Sequence, residues 1–206
     1  MRVVGRFLDF FLVAVIVSFM CLGMLRALAL YARGVRVVAV DRARTVVQGL
    51  SDLGMVAAFV TWIYEALAFA WPLRRHLVPG AMQVVILDSF GLRVLGALTM
   101  AAGLGVWLAA MSAMGASWRV GIDRDAPGAL VTRGIFARTR NPIYVAFDLL
   151  VIGTLLMEGR LVFLIAALVL GSLGHLLIRR EERFLAQVHG AAYERYRARV
   201  GRYFTI

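Results

Sequence analysis

The chain contains no lysine, one cysteine, three histidines and four prolines among its 206 residues. The lone Cys21 excludes an intramolecular disulfide and a cysteine-based metal site. The histidines, at positions 76, 175 and 189, lack the spacing of metal ligands, so we expect no metal. All 23 basic residues are arginines at the ends of apolar runs, and no basic stripe interleaved with aromatics is present. The net charge of +11 therefore does not indicate nucleic-acid binding.

Polar sequence is also scarce, since 62% of the residues are hydrophobic and the mean hydropathy is +0.82. Soluble domains are closer to half apolar. Five apolar segments predict an all-α, polytopic membrane protein with about five transmembrane helices, in contact with membrane lipids: 7–30, 53–73, 90–112, 142–158 and 161–178. The last two are short for a span. Residues 179–203 predict a cytoplasmic amphipathic helix with a weak point at Gly190.

The arginines are distributed unequally between the two sides that five spans would create. Residues 31–52, 113–141 and the C-terminal segment together hold sixteen arginines, and the opposite side holds five. Because Lys and Arg are enriched in cytoplasmic loops, we expect the N-terminus outside and the C-terminus in the cytoplasm. The expected location is the bacterial inner membrane.

Three other segments have local signals. Residues 33–52 mix Val with Arg and predict an interfacial helix, and Ser51-Asp52 indicates the start of the second span. Pro79-Gly80 predicts a turn, and so does the stretch 125–128 within the long connection 113–141. The glycines of span three (Gly91, Gly96, Gly103 and Gly105) favour close helix packing.

A turn of only Glu158-Gly159-Arg160 joins the last two apolar segments. So short a turn forces the two arms to run antiparallel. The polar stretch before the hairpin (140–144) and the one after it (179–182) must then lie on the same side of the membrane.

These two polar stretches contain groups that suit a charged ligand. Asn141-Pro142 has the features of a helix cap, and a helix N-terminus beside Arg138 and Arg140 also favours an anion. Glu181-Glu182 is either a solvated cluster or an acceptor for a cationic group. Together the stretches match a zwitterionic amino-acid group.

Two acids inside the apolar segments are candidates for catalysis. Asp148 lies one helical turn beyond Tyr144 on the same face, and Glu65 lies deep in span two. Charges within lipid cost about 2.5–3.5 kcal/mol on insertion scales, so such residues are candidates for function. A protonated or Arg-paired structural contact is the alternative for both.

The ordered motifs of the second half resemble the isoprenylcysteine carboxyl methyltransferase family, which is related to phospholipid methyltransferases. They are Ser117–Asp123, Leu130–Phe136, Arg140–Tyr144, Glu181-Glu182, and then Leu185, Gly190, Tyr193, Tyr196, Val200 and Arg202. The resemblance covers about residues 112–204. It implies a methyltransferase core at 112–206 and three N-terminal spans at 1–111 on the side of a substrate tunnel.

The resemblance also implies S-adenosylmethionine as methyl donor and a lipid or isoprenoid small molecule as acceptor, with isoprenylcysteine-type carboxyl O-methylation as the family default. The donor-binding residues carried over by position are Leu130, Val131, Phe136, Asn141, Pro142, Ile143, Tyr144 and Glu181, with Glu182 and Tyr193 as further candidates.

The chain also departs from the family pattern. The family often has Tyr at Phe136 and His at Asn141, and it usually has an acceptor-binding Arg at Leu177. Arg179, Arg180 and His175 are the candidates to replace that Arg. The alternative functions are a nicotinamide-dependent membrane reductase of the sterol-reductase type and a non-enzymatic membrane scaffold. The identity of the acceptor and the oligomeric state are left open.

Overall fold

The computed structural model of the protein describes residues 2–34, 45–71, 75–115, 118 and 128–204. Within these residues the chain forms six α-helices: α1 (Arg2–Tyr31), α2 (Val46–Ala70), α3 (Phe90–Met114), α4 (Pro142–Glu158), α5 (Leu161–His189) and α6 (Ala191–Arg197). Short 3-10 helices form at Gly80–Met82 and Gly134–Ala137. The predicted all-α class is confirmed for the described residues, whose only β-type pairing is an isolated bridge between Val85 and Arg160.

Four of the helices are long and apolar enough to cross a membrane: Gly5–Tyr31 within α1, α2, α3 and α5. The fourth apolar segment is the helix α4, which has 17 residues. At 1.5 Å per residue it extends about 25 Å, which is less than the hydrocarbon thickness of about 30 Å. The protein is therefore a polytopic membrane protein with four candidate spans and one shorter apolar helix.

The predicted hairpin of α4 and α5 is confirmed. Gly159 adopts a left-handed conformation, φ 62°, and a Cβ there would collide with the carbonyl of Leu87. The turn is held by the preceding loop, because Ile86 and Leu87 N–H both donate to the Gly159 carbonyl and Leu161 N–H donates to the Val84 carbonyl. The arms therefore run antiparallel from this point, which we call the turn end (residues 83–87 and 158–160).

Glycines bring α3 and α4 into close contact, as predicted for span three. A Cβ on Gly96 would lie 2.7 Å from the Gly153 carbonyl oxygen, and one on Gly103 would lie 3.1 Å from the Ala146 carbonyl oxygen. Gly105 has no such neighbour, so it takes no part in this contact. The close packing fixes α4 against α3 along most of its length.

The core lies between α1, α2, α3 and α4 and is rich in aromatic rings. Phe19 of α1 packs against Phe59 of α2, Trp107 of α3 and Phe147 of α4, with ring centroids 4.9–6.5 Å apart. Helices α1 and α3 run parallel, because Asp9 near the start of α1 pairs with Arg93 in the first turn of α3, and Arg26 near the end of α1 donates to the carbonyl of Gly115, which follows α3.

Two predicted helix boundaries are wrong. The second span begins at Val46, before Ser51-Asp52, because Thr45 and Gln48 form a capping box there. Residues 46–52 of the predicted interfacial helix therefore belong to α2, and 35–44 lie outside the described residues, as does most of the turn predicted at 125–128. The C-terminal amphipathic segment is not a separate helix, since α5 continues without interruption to His189. The break predicted at Gly190 is confirmed, with φ 48° and α6 following.

Candidate functional site

A buried glutamate brings together the polar stretches from either side of the hairpin. Glu182 Oε1 accepts hydrogen bonds from Arg140 Nε (3.1 Å), Arg140 Nη2 (2.9 Å) and Asn141 Nδ2 (3.0 Å). Its Oε2 accepts from Arg202 Nε (3.0 Å) and Nη2 (2.9 Å). The structure thus confirms that the two stretches meet at one end of the helices, which we call the polar end (residues 139–144, 178–182 and 196–202).

The same network fixes the C-terminal segment over the start of α4. Arg140 N–H donates to the Gly201 carbonyl (3.0 Å), and Arg140 Nη1 donates to the Val200 carbonyl (2.7 Å). The Arg202 carbonyl accepts from Thr139 Oγ1 (3.2 Å) and Asn141 Nδ2 (3.0 Å). The roles of Thr139 and Arg202 as anchors were not predicted, because residues about sixty positions apart in the chain carry no sequence signal of their contact.

The predicted capping role of Asn141 is wrong. Its side chain accepts no hydrogen bond from the first turn of α4, because its amide donates to Glu182 and to the Arg202 carbonyl instead. Pro142 does occupy the first turn, as expected from its fixed φ. Asn141 therefore connects the C-terminal segment to the helix start.

Glu181 differs from its neighbour Glu182 in that it has little bonding. Its Oε2 accepts from the Tyr144 hydroxyl at 3.2 Å, and no other described residue donates to the carboxylate. Successive residues of a helix point about 100° apart, so Glu181 lies toward Tyr144 of α4 while Glu182 lies toward the C-terminal segment. Nearby, Arg180 pairs with Asp52 of α2 at 3.0 Å.

Two tyrosines of α6 lie beneath the polar end. Tyr193 and Tyr196 are buried and pack with Val200 against Leu130. The Tyr196 hydroxyl donates to the Phe136 carbonyl at 2.6 Å, whereas the buried Tyr193 hydroxyl has no partner among the described residues. Burial raises the pKa of both phenols to about 12, so both remain protonated donors at neutral pH.

The donor-binding residues carried over by resemblance all lie on elements that meet at or beside the polar end. Leu130, Phe136 and Tyr193 lie on the side of α6, and Asn141, Pro142, Ile143 and Tyr144 form the start of α4. Val131 is half-buried next to Leu130. Glu182 is fully engaged within the protein, whereas Glu181 retains an oxygen that can accept.

The residues predicted to bind the acceptor, and the catalytic candidate Asp148, have different surroundings. Arg179 is exposed on the outer face of α5, and Arg180 is already paired with Asp52. His175 Nδ1 is hydrogen-bonded to the Tyr203 hydroxyl at 2.7 Å. Asp148 is half-buried on α4, and no hydrogen bond joins its carboxylate to a described residue.

Glu65 is not part of this site. It is fully buried beside the loop that leads to the turn end, where its carboxylate contacts His76 Nδ1 (2.7 Å) and accepts from Leu77 N–H (2.6 Å) and Val78 N–H (3.2 Å). His76 stacks on Phe69, which packs on Phe163 in the first turn of α5. Phe163 and Glu182 are 19 positions apart in α5, so Glu65 lies about 28 Å from Glu182 along the helix.

Comparisons with known proteins point to the same segment. The family described as phospholipid methyltransferase matches residues 92–192. The protein-S-isoprenylcysteine O-methyltransferase of Schizosaccharomyces pombe (strain 972 / ATCC 24843) is 38% identical over 82 residues, which are 39% of this chain and 35% of that protein. The chain thus spans about a third of the length of that curated relative. The segment matched by the phospholipid methyltransferase family carries both arms of the hairpin, Asn141 and the two glutamates.

Proposed function

We propose that this chain is an integral-membrane methyltransferase that binds S-adenosylmethionine at the polar end and methylates a lipid-like, isoprenoid-linked acceptor. The observation that carries the proposal is Glu181. It is the less bonded of two adjacent glutamates, it contacts Tyr144, and it lies in the segment matched by the methyltransferase family. The S. pombe relative is named as an isoprenylcysteine O-methyltransferase, which supports an acceptor of that class.

The residues present fit the donor's amino-acid group. The open oxygen of Glu181 can accept from an ammonium group, and the unpartnered hydroxyl of Tyr193 can donate to a carboxylate. When bound, S-adenosylmethionine supplies a methyl group that is already electrophilic because it is attached to a sulfonium. The protein's task is then to align the two reactants and exclude water, which effective molarities credit with about 7–11 kcal/mol.

The network around Glu182 has a supporting role in this proposal. Its two arginines and Asn141 already satisfy the carboxylate, so it holds the C-terminal segment over the donor site. Hydrogen bonding to Glu182 raises the pKa of Arg202, so this anchor stays charged. Val131 and Ile143 complete the apolar part of the donor site. His175 remains the proposed acceptor contact, because Arg180 is paired with Asp52 and Arg179 is exposed on the outer face of α5.

We further propose five membrane crossings, with α4 crossing as the short fourth span. The alternation of sides then puts the N-terminus outside and the polar end in the cytoplasm, consistent with the excess of arginine on that side. Residues 1–111 form the substrate side and 112–206 the methyltransferase core. The bacterial inner membrane remains the proposed location.

Donor binding to the detergent-solubilised protein tests the proposal directly. S-adenosylhomocysteine should raise the melting temperature of the wild type, and Glu181→Gln should remove most of this effect because the amide weakens the bond to an ammonium group. Glu194→Gln is the matched control, since Glu194 is exposed and paired only with Arg197. Stabilisation by NADPH alone would indicate a reductase, and equal stabilisation of wild type and Glu181→Gln would contradict the assigned site.

A further inference from the structure

The antiparallel hairpin brings Asp148 of α4 and His175 of α5 to the same level, about two helical turns from the polar end. Asn141 and Glu182 touch at 3.0 Å and fix the register of α4 against α5. Asp148 lies seven residues after Asn141, and His175 lies seven residues before Glu182. Because seven residues are close to two helical turns, each residue shares a face with its anchor and lies about 10 Å further along the same groove.

The C-terminal segment adds a third group at this level. After Arg202 binds Glu182, the next residue places its phenol on His175, with Tyr203 Oη 2.7 Å from Nδ1 and the two rings stacked. Asp148 is close enough that, after burial, its charge is the main cause raising the pKa of Tyr203. Asp148, His175 and Tyr203 thus surround one part of the groove between α4 and α5.

The charges in this part of the groove favour one kind of acceptor. Asp148 is half-buried without a hydrogen-bond partner among the described residues, so an anion placed beside it would be repelled. The neighbouring arginines are engaged elsewhere, Arg140 and Arg202 by Glu182 and Arg180 by Asp52. A carboxylate nucleophile has no proton to lose and needs no base, whereas an alcohol or amine must transfer its proton to a base such as Asp148.

We propose that the methylated molecule attacks through an O–H or N–H group and not through a carboxylate. Asp148 accepts the proton of that group, and the His175–Tyr203 pair orients the methylated molecule. This inference rests on the proposed methyltransferase function. The acceptor's oxygen or nitrogen forms a bond to the methyl carbon, and the bond from that carbon to sulfur breaks with its electron pair left on sulfur. The proton of the nucleophile passes to the Asp148 carboxylate.

The preference for a protic nucleophile over a carboxylate can be tested by the binding of three related probes, without methyl transfer. Farnesylamine, farnesol and farnesoic acid share one chain and differ only in the head group. Their binding to the solubilised protein, saturated with S-adenosylhomocysteine, should favour the amine and the alcohol over the acid by about tenfold, a factor that corresponds to about 1.4 kcal/mol. The amine and alcohol measurements separate the two kinds of protic nucleophile.

Two variants connect the preference to these residues. Asp148→Asn keeps the shape and removes the charge, so it should abolish the preference while leaving S-adenosylhomocysteine affinity unchanged. Tyr203→Phe should weaken binding of all three probes alike, because it loosens His175 without changing the charge. Glu194→Gln should behave as the wild type.

The outcomes separate this inference from the function on which it rests. Donor binding together with a preference for farnesoic acid, or with a preference unchanged in Asp148→Asn, overturns the inference and leaves the methyltransferase proposal intact. Absence of donor binding in the wild type overturns both. In a transfer assay with methyl-labelled donor and total lipid extract, release of label from the product as methanol by mild alkali would identify a methyl ester and count against the inference.

Discussion

A buried glutamate lies near each end of the α4–α5 hairpin, but the two carboxylates are satisfied in different ways. On the side of the turn end, Glu65 of α2 binds a local loop through two backbone N–H groups and His76, all within 13 residues of it in the chain. At the polar end Glu182 binds side chains 42 and 20 residues away. At the polar end the neighbouring acid Glu181 has capacity left for a ligand. Glu65 and Glu182 are satisfied and hold the fold, and at the polar end the incompletely satisfied Glu181 marks the candidate site.

Removing the central carboxylate of the polar end should have the largest effect. Glu182→Ala leaves Arg140, whose side chain is 8% exposed, without its counter-charge and releases Arg202. Loss of one partner of a buried pair costs about 3–5 kcal/mol, and we expect thermal unfolding in detergent to show it. Limited proteolysis should also cleave the C-terminal segment more readily. If Glu182→Ala is as stable as Glu194→Gln, the network does not hold the fold.

The close contact between α3 and α4 lies between the two ends of the hairpin. A substitution in this contact should have the second largest effect on stability. Gly96→Ala introduces a Cβ 2.7 Å from the Gly153 carbonyl oxygen, and such overpacking costs about 1–3 kcal/mol. Gly105→Ala on the same helix meets no atom within 4 Å and gains helix propensity, so its stability should be unchanged or slightly higher. Equal melting temperatures for the two variants would contradict the close packing.

The smallest effect is expected for Glu65, on the side of the turn end. In Glu65→Gln the amide oxygen can still accept from Leu77 and Val78 N–H, so the main loss is the acceptor that faces His76. The free energy of unfolding should fall by about 0.5–1.5 kcal/mol. S-adenosylhomocysteine should stabilise this variant as much as the wild type, because Glu65 is far from the polar end. Abolished methyl transfer with intact folding would restore Glu65 as a catalytic candidate.

The sequence predicted the helices well where they depend on local properties. The apolar segments exclude charge over lengths that suit a membrane, and Glu158-Gly159-Arg160 is too short for any connection other than a tight antiparallel turn. Gly190 is a local break for the same kind of reason, since its left-handed backbone favours glycine. Helix starts were less certain, because Thr45 with Gln48 and Ser51-Asp52 are both plausible caps and only one is used.

The candidate site was predictable in location but not in the roles of its residues. The hairpin fixed which polar stretches meet, and this part is confirmed. It could not show that Asn141 donates to Glu182 in place of capping α4, nor that Glu65 binds a loop. Those roles depend on which donors lie nearby in space, and hydrogen-bond partners from distant parts of the chain leave no periodic signal.

The amino-acid sequence by itself determined that this protein is helical, membrane-embedded and charged at one end of a hairpin, because these properties follow from apolar length and turn geometry. The tertiary structure alone decided which of two adjacent glutamates holds the C-terminal segment and which remains open to a ligand. The reason is that a helix turns by about 100° per residue, so neighbouring side chains face different partners, and the position of Arg202 determines which carboxylate is satisfied.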